Sequence, residues 1–252
     1  FAEDSALQGH SFGNLFITAM TKITGDFERA VRASSKVLAI RGRVVPSTNM
    51  KVRLAAEHDD GSVTLGETKI SHSPVPIRRV YLEPTGCLPT ADAITAIQEA
   101  NAIVMGPGSL YTSIIPNLLV GGMVEAIVTS KALKIYVCNV MTQSRETADF
   151  KASDHVRALV AHAKPGILQL CLVNTEPVPP SLLARYRQEE AFPVEPDIER
   201  IRSLGYQVVS DNIISTEDYV RHDPDKVAKI VIQLIVGGRG RGPAPAPAGA
   251  AR

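Results

Sequence analysis

Cysteine is scarce in this 252-residue chain, with only Cys87, Cys138 and Cys171. Three thiols so far apart exclude a disulfide framework and a CxxC zinc site, and they predict small buried residues in a reduced core. Excess charge of either sign is also lacking. Lysine plus arginine number 27 and aspartate plus glutamate 26, a net charge of +1, which leaves no electrostatic footprint for nucleic acid. No apolar run approaches the roughly 18 residues of a membrane span, because Gly106, Pro107 and Pro116 break the longest ones. No signal-peptide pattern is visible. The six histidines (His10, His58, His72, His155, His162, His222) form no HxH or HxxxH pair, so no metal ligands are assigned. No lysine follows the glycines near residue 106 as a Walker loop requires, and no GxSxG elbow marks a serine hydrolase.

What is present is ordinary globular composition, 44% hydrophobic and 21% charged. The length suits one α/β domain, predicted over residues 1–236. Residues 237–252 read GGRGRGPAPAPAGAAR. This tail has no large apolar residue to offset its ordering entropy, so a disordered segment is predicted there. Its three arginines account for the positive balance, and without them the remainder is slightly acidic.

Short apolar strands alternate with amphipathic helices along the domain. Leu15 to Met20 is helix-compatible, and Asp26 precedes a helix carrying Phe27, Ala30, Val31 and Val37. Residues 51–65 alternate around Asp60-Gly61, a hairpin pattern. Val80-Tyr81-Leu82 is a strand, and Thr90 can cap a helix with Ile94 and Ile97 on one face. Ala102–Met105, Ile135–Cys138 and Leu168–Val173 are short buried strands. Ser153 is placed to cap a helix with Val156, Leu159, Val160 and Ala163 at helical spacing, and Asp223-Pro224 opens a last helix with Val227, Ile230, Val231 and Leu234 on one face. The pattern predicts a Rossmann-like α/β fold, a mostly parallel sheet with helices on both faces and a small antiparallel hairpin.

In such sheets ligands sit beyond the carboxyl ends of the strands. Two loops qualify. In Gly106-Pro107-Gly108-Ser109, the glycines permit close backbone approach and Ser109 opens a helix carrying Thr112 and Ser113, an arrangement that favours an anion. Pro116 should end that helix early and restart it. Asn139 to Thr147 offers amide, hydroxyl, guanidinium and carboxylate groups, including Asn139, Thr142 and Gln143, suited to a base or a sugar. His10 and Asn14 flank glycines ahead of the first helix, and Asp154 stands in the first turn of a later one.

Gly9–Leu15, Gly106–Ser113 with Pro116-Asn117-Leu118, Cys138–Gln143 and Ala152–His155 together resemble the YvcK-type gluconeogenesis factors, within the superfamily of CofD, the 2-phospho-L-lactate transferase. The resemblance runs over about residues 7–235. It implies a cytoplasmic protein that binds UDP-sugars, notably UDP-N-acetylglucosamine, and links carbon metabolism to cell shape and the cell wall. It also implies Tyr186 and Arg221 as nucleotide-sugar contacts. For the transferase branch it implies transfer of a phospholactyl group from a nucleotide-activated donor with Mg²⁺, with His10, Asn14 and Asp154 as candidates beside the reacting phosphate. A homodimer and cell-wall or metabolic protein partners are compatible with it. Positions 106–110 read Gly-Pro-Gly-Ser-Leu where the transferase loop has Gly-Pro-Ser-Asn-Pro, which favours the YvcK side. Members of the family begin with a strand and a GGGTG loop, absent here, so an N-terminal strand and glycine loop are expected to be missing.

Overall fold

The computed structural model describes residues 12–39 and 41–238. Gly9 to Ser11, with His10, and the tail from residue 239 lie outside the described residues.

Two helices open the fold, α1 (Phe12–Thr24) and α2 (Phe27–Val37), and they pack on each other. Asp26 caps α2 as its position predicts, accepting from the Arg29 backbone N–H at 2.8 Å. Next come β1 (Arg53–His58), β2 (Val63–Leu65), a single turn α3 (Glu67–Ile70) and β3 (Ile77–Glu83). They form an antiparallel sheet in the order β2-β1-β3. The hairpin of residues 51–65 is therefore present, and β3 joins it rather than the parallel sheet. The reason is its composition. Ile77, Val80 and Leu82 are buried while Arg78, Arg79 and Glu83 are exposed, a pattern that suits a sheet with one wet face.

The second half alternates. In order it contains α4 (Ala91–Glu99), β4 (Ala102–Met105), a π-helical turn (Leu110–Ile114), α5 (Ile115–Leu118), α6 (Met123–Thr129), β5 (Leu133–Val137), α7 (Ala152–His162) and β6 (Leu170–Asn174). It finishes with α8 (Pro180–Gln188), α9 (Ile198–Ser203), β7 (Gln207–Asp211), a small antiparallel pair β8 (Ile214–Ser215) and β9 (Arg221–His222), and α10 (Pro224–Gly238). Strands β4-β5-β6-β7 form a parallel sheet in that order. Met105 faces Tyr136, and Val137 faces Leu172. The strands thus finish at one common edge.

Strand alternation sends side chains to two cores. Tyr136, Cys171 and Val173 pack in one cluster with Val156 and Leu159 of α7. Ile135, Val137, Leu170 and Leu172 pack on the other side with Val227, Ile230, Val231 and Leu234, the predicted face of α10. Each large side chain so buried contributes about 1.5–3 kcal/mol of transfer free energy. The three cysteines are free and buried. Among the described residues no single helix is long and apolar enough to cross a membrane.

One predicted cap is corrected. Lys151 is the N-cap of α7, and Asp154 reaches back to accept from the Lys151 backbone N–H at 2.9 Å. Ser153 instead lies inside the helix, and its backbone N–H and hydroxyl both bond to Asp197, at 2.8 and 2.6 Å. A carboxylate 44 residues away outcompetes the local role because its two oxygens accept both donors at once.

Candidate functional site

The chain leaves β4 at Met105 and turns at once. Gly106 has φ +90°, and a Cβ there would lie 3.0 Å from the Val137 carbonyl oxygen of β5. This glycine is required both by its backbone conformation and by its neighbour. The helix that follows is not an ordinary α-helix. The Ile114 N–H donates to Ser109 O at 3.0 Å, and the Ile115 N–H closes back to Leu110 O. Such π-turns are frequent at functional sites. Ser109 does not cap this turn with its side chain, contrary to its predicted role. Its Oγ accepts from Gln143 Nε2 at 2.9 Å. The expected stop before Pro116 does not occur: the helix continues from its π-turn into an α-turn at Ile115, which is itself helical, through Leu118.

The loop after β5 comes to meet this turn. Asn139 Nδ2 donates to Gly108 O at 3.0 Å. Thr112 Oγ1 donates to Glu146 Oε1 at 3.0 Å, and Ser71 Oγ donates to the same oxygen at 3.2 Å. The two loops, both expected beyond the strand ends, therefore touch through Gly108, Ser109 and Thr112. Ser113 is exposed beside them. Thr142 is turned away. Its N–H donates to Phe192 O at 2.7 Å and its Oγ1 accepts from the Phe192 N–H at 3.0 Å, so it anchors the loop to residue 192.

Behind Asn139 lies a buried polar chain that the sequence reading missed. The Tyr136 hydroxyl lies 3.4 Å from Asn139 Oδ1 and 3.3 Å from His155 Nδ1. Phe150 meets the His155 ring edge-on, with centroids 5.5 Å apart. Burial holds the His155 imidazole down at about 4, so it is neutral at pH 7, and among the described residues its Nε2 has no partner. The signal was thin: a tyrosine within an apolar strand run, and a histidine one residue past Asp154.

Glu146 was also passed over as one polar residue among many. It is 7% exposed, and among the described residues its Oε2 lacks a partner. Burial pushes its carboxyl up, against the lowering effect of the Thr112 and Ser71 hydroxyls. The folded state therefore holds more protons on this group than the unfolded state, and this group's contribution to stability falls as pH rises above 4.5 through the raised value. Glu146→Ala is expected to strand two hydroxyls at a cost of about 1–3 kcal/mol. Glu146→Gln retains an acceptor and should flatten the pH dependence. Urea melts of both variants at pH 5 and pH 7.5 check this, and equal losses in the two variants would refute it.

A third element closes the arrangement from the side. His222 Nε2 donates to Cys138 O at 3.0 Å, fixing β9 beside the loop that bears Asn139. Tyr186 of α8 packs among Val140, Val178, Ile214 and Val220. Its hydroxyl accepts from the Val220 N–H at 3.0 Å. The ring is half-buried, and the hydroxyl is committed to the backbone. Arg221 is exposed next to His222. Asp154 stays at the start of α7, paired with Arg157 as well as the Lys151 N–H. Asn14 lies in the first turn of α1. Among the described residues no group of three or more His, Cys, Asp and Glu side chains is placed to hold a metal ion. A surface recess of about 760 Å³ is lined by residues such as Lys51, Arg53 and Glu83 and shares none with these loops.

Fold and loops together define a Rossmann-like α/β protein in which the loops after β4 and β5 meet beyond the carboxyl ends of the parallel strands. The family model described as 2-phospho-L-lactate transferase CofD matches residues 1–214. The chain belongs to this superfamily of CofD and the gluconeogenesis factors. It is 45% identical over 236 residues to the gluconeogenesis factor of Bacillus subtilis, covering 93% of this chain and 74% of that one. It is 43% identical over 234 residues to the gluconeogenesis factor of Halalkalibacterium halodurans, covering 92% and 73%. The crystal structure of a UPF0052 family member from Bacillus halodurans superimposes with a TM-score of 0.86 at 43% identity, covering 91% of this chain and 74% of that one.

Proposed function

We propose that this chain is a nucleotide-sugar-binding regulatory protein whose ligand is a UDP-sugar of the UDP-N-acetylglucosamine type. The observation that supports it is the meeting of the loops after β4 and β5, through Asn139 to Gly108 and Gln143 to Ser109. Glycine backbone, hydroxyls and amides converge there, the donor and acceptor set a glycosyl diphosphate needs. In this reading Gly106, Gly108, Ser109 and Ser113 face the diphosphate. Thr112 holds the turn through Glu146. Asn139 and Gln143 take base or sugar, and Thr142 keeps their loop in place. Tyr186 offers its ring to the base, and Arg221 offers an exposed guanidinium to a phosphate. The names of the relatives, gluconeogenesis factors, support a part in carbon metabolism; a place in the cytoplasm and a link to cell shape and wall synthesis complete the proposal.

Calorimetric titration with UDP-N-acetylglucosamine, and with GDP as control, tests the reading. Saturable binding of the UDP-sugar is expected. Arg221→Ala should weaken it at least about tenfold, since a hydrogen bond to a charged group is worth about 1.5–3 kcal/mol. No binding to the unmodified protein, or full affinity in the alanine variant, would sink it. A second reading is favoured by the description of the family model, a transferase. In that case the same loops would hold a nucleotide-activated donor, with Asp154 or Asn14 near its phosphate. Turnover of such a donor in the presence of Mg²⁺ would move the weight to it, and binding without turnover would keep the regulator.

A further inference from the structure

Two arginines share one aromatic ring. The Arg185 guanidinium carbon lies 4.1 Å from the Tyr219 ring centroid, and that of Arg221 lies 5.2 Å from it. Arg185 also donates to the Tyr219 hydroxyl. Among the described residues neither arginine has a carboxylate within 4.0 Å, a state shared with some other arginines such as Arg53 and Arg200 and not with Arg32, Arg79 or Arg157. The acids nearest in sequence do not neutralise them. Asp223 Oδ1 accepts the first backbone N–H groups of α10, its Oδ2 faces Lys226, and Glu217 and Asp218 form no ion pair among the described residues.

Two like charges gathered on one ring repel each other. The ring's negative face offsets part of that cost, and an anion between them offsets more. The nucleotide-sugar reading supplies that anion, since it gives Arg221 a phosphate to meet. Arg221 belongs to β9, whose next residue His222 is bonded to Cys138 O. Arg185 belongs to α8, whose next residue Tyr186 is bonded to Val220. The pair is therefore carried by two different elements, α8 and β9, that meet at Tyr219.

We infer that Arg185, stacked with Arg221 on Tyr219, is a second phosphate-binding residue that makes the site selective for a nucleoside diphosphate group over a monophosphate. This rests on the nucleotide-sugar reading above and adds a residue to it. One guanidinium satisfies one phosphate. A second, pre-ordered by stacking, gains only when a second phosphate is present. A planar guanidinium can stack and still donate two parallel bonds, which a lysine ammonium cannot.

The test is calorimetry with UDP-N-acetylglucosamine and with UMP, on the unmodified protein, Arg185→Ala and Arg185→Lys. Arg185→Ala is expected to weaken the UDP-sugar about tenfold and UMP less than about twofold. Arg185→Lys should fold as the unmodified protein does, retain the charge without the planar stack, and fall between the two for the UDP-sugar. Unchanged UDP-sugar affinity in Arg185→Ala, or equal losses for both ligands, would overturn the assignment while the nucleotide-sugar reading stood. Absence of binding by the unmodified protein would instead remove that reading and this inference together.

Discussion

Gly106→Ala is expected to destabilise the protein by about 2–4 kcal/mol and to abolish nucleotide-sugar binding. Two costs add at this position. A backbone at φ +90° is rarely adopted by residues with a Cβ, and the new methyl carbon would sit 3.0 Å from Val137 O and 3.2 Å from Ile114 Cδ1. The side chain of Ile114 can rotate away, but the carbonyl cannot. Val137 ends the second strand of the parallel sheet, and its residue pairs with Leu172 of the next strand. Relief would have to come from moving the glycine loop itself, which carries Gly108 and Ser109. Gly122 is the natural comparison. It has φ +79° with nothing within 4 Å of the added carbon, so Gly122→Ala bears the backbone cost alone, about 1–2 kcal/mol. Urea unfolding of both variants reads the difference. If the two lose equally, the crowding against β5 is not what selects glycine at 106.

The second large effect is a loss of stability in acid. His155 is buried, and its folded value of about 4 lies below the ordinary 6.5. Between these values the unfolded chain binds the proton and the folded chain does not. The contribution of His155 is therefore fully present above pH 6.5 and is lost as pH falls toward 4, by about 3 kcal/mol in all. Burial lowers His162 and His222 as well, and their contributions have the same sign. The part due to His155 is isolated by His155→Leu, in which the Tyr136 hydroxyl keeps Asn139 Oδ1 as its acceptor. Unfolding free energies at pH 7 and pH 4.5 should drop less in that variant by most of this amount. An identical drop in the two proteins would show that His155 is protonated in the folded state.

Much of the architecture could be read directly from residue spacing. The strand Ala102–Met105 has the predicted ends, Asp26 and Thr90 cap α2 and α4, and the apolar stripe of α10 lies on the sheet as its periodicity requires. Side chains three and four apart share a helix face, and a capping residue needs only its own next turn. The same locality made Gly106, Gly108 and Ser109 conspicuous as a strand-to-helix turn. It failed at Ser153, where the winning partner is Asp197. At β3 the strand itself was legible, but not its pairing with β1.

What joined these loops was contact between distant parts of the chain. Asn139 reaches Gly108 across 31 positions, His222 reaches Cys138 across 84, and Glu146 gathers Thr112 and Ser71 from 34 and 75 positions away. Each of these bonds depends on β4 lying beside β5, and on α8 and the β8–β9 pair folding down beside them. Periodicity encodes which face of an element is apolar. It carries no information about which neighbour that face will meet, and so the partners of buried polar groups such as His155 and Glu146 emerged only when the chain was folded.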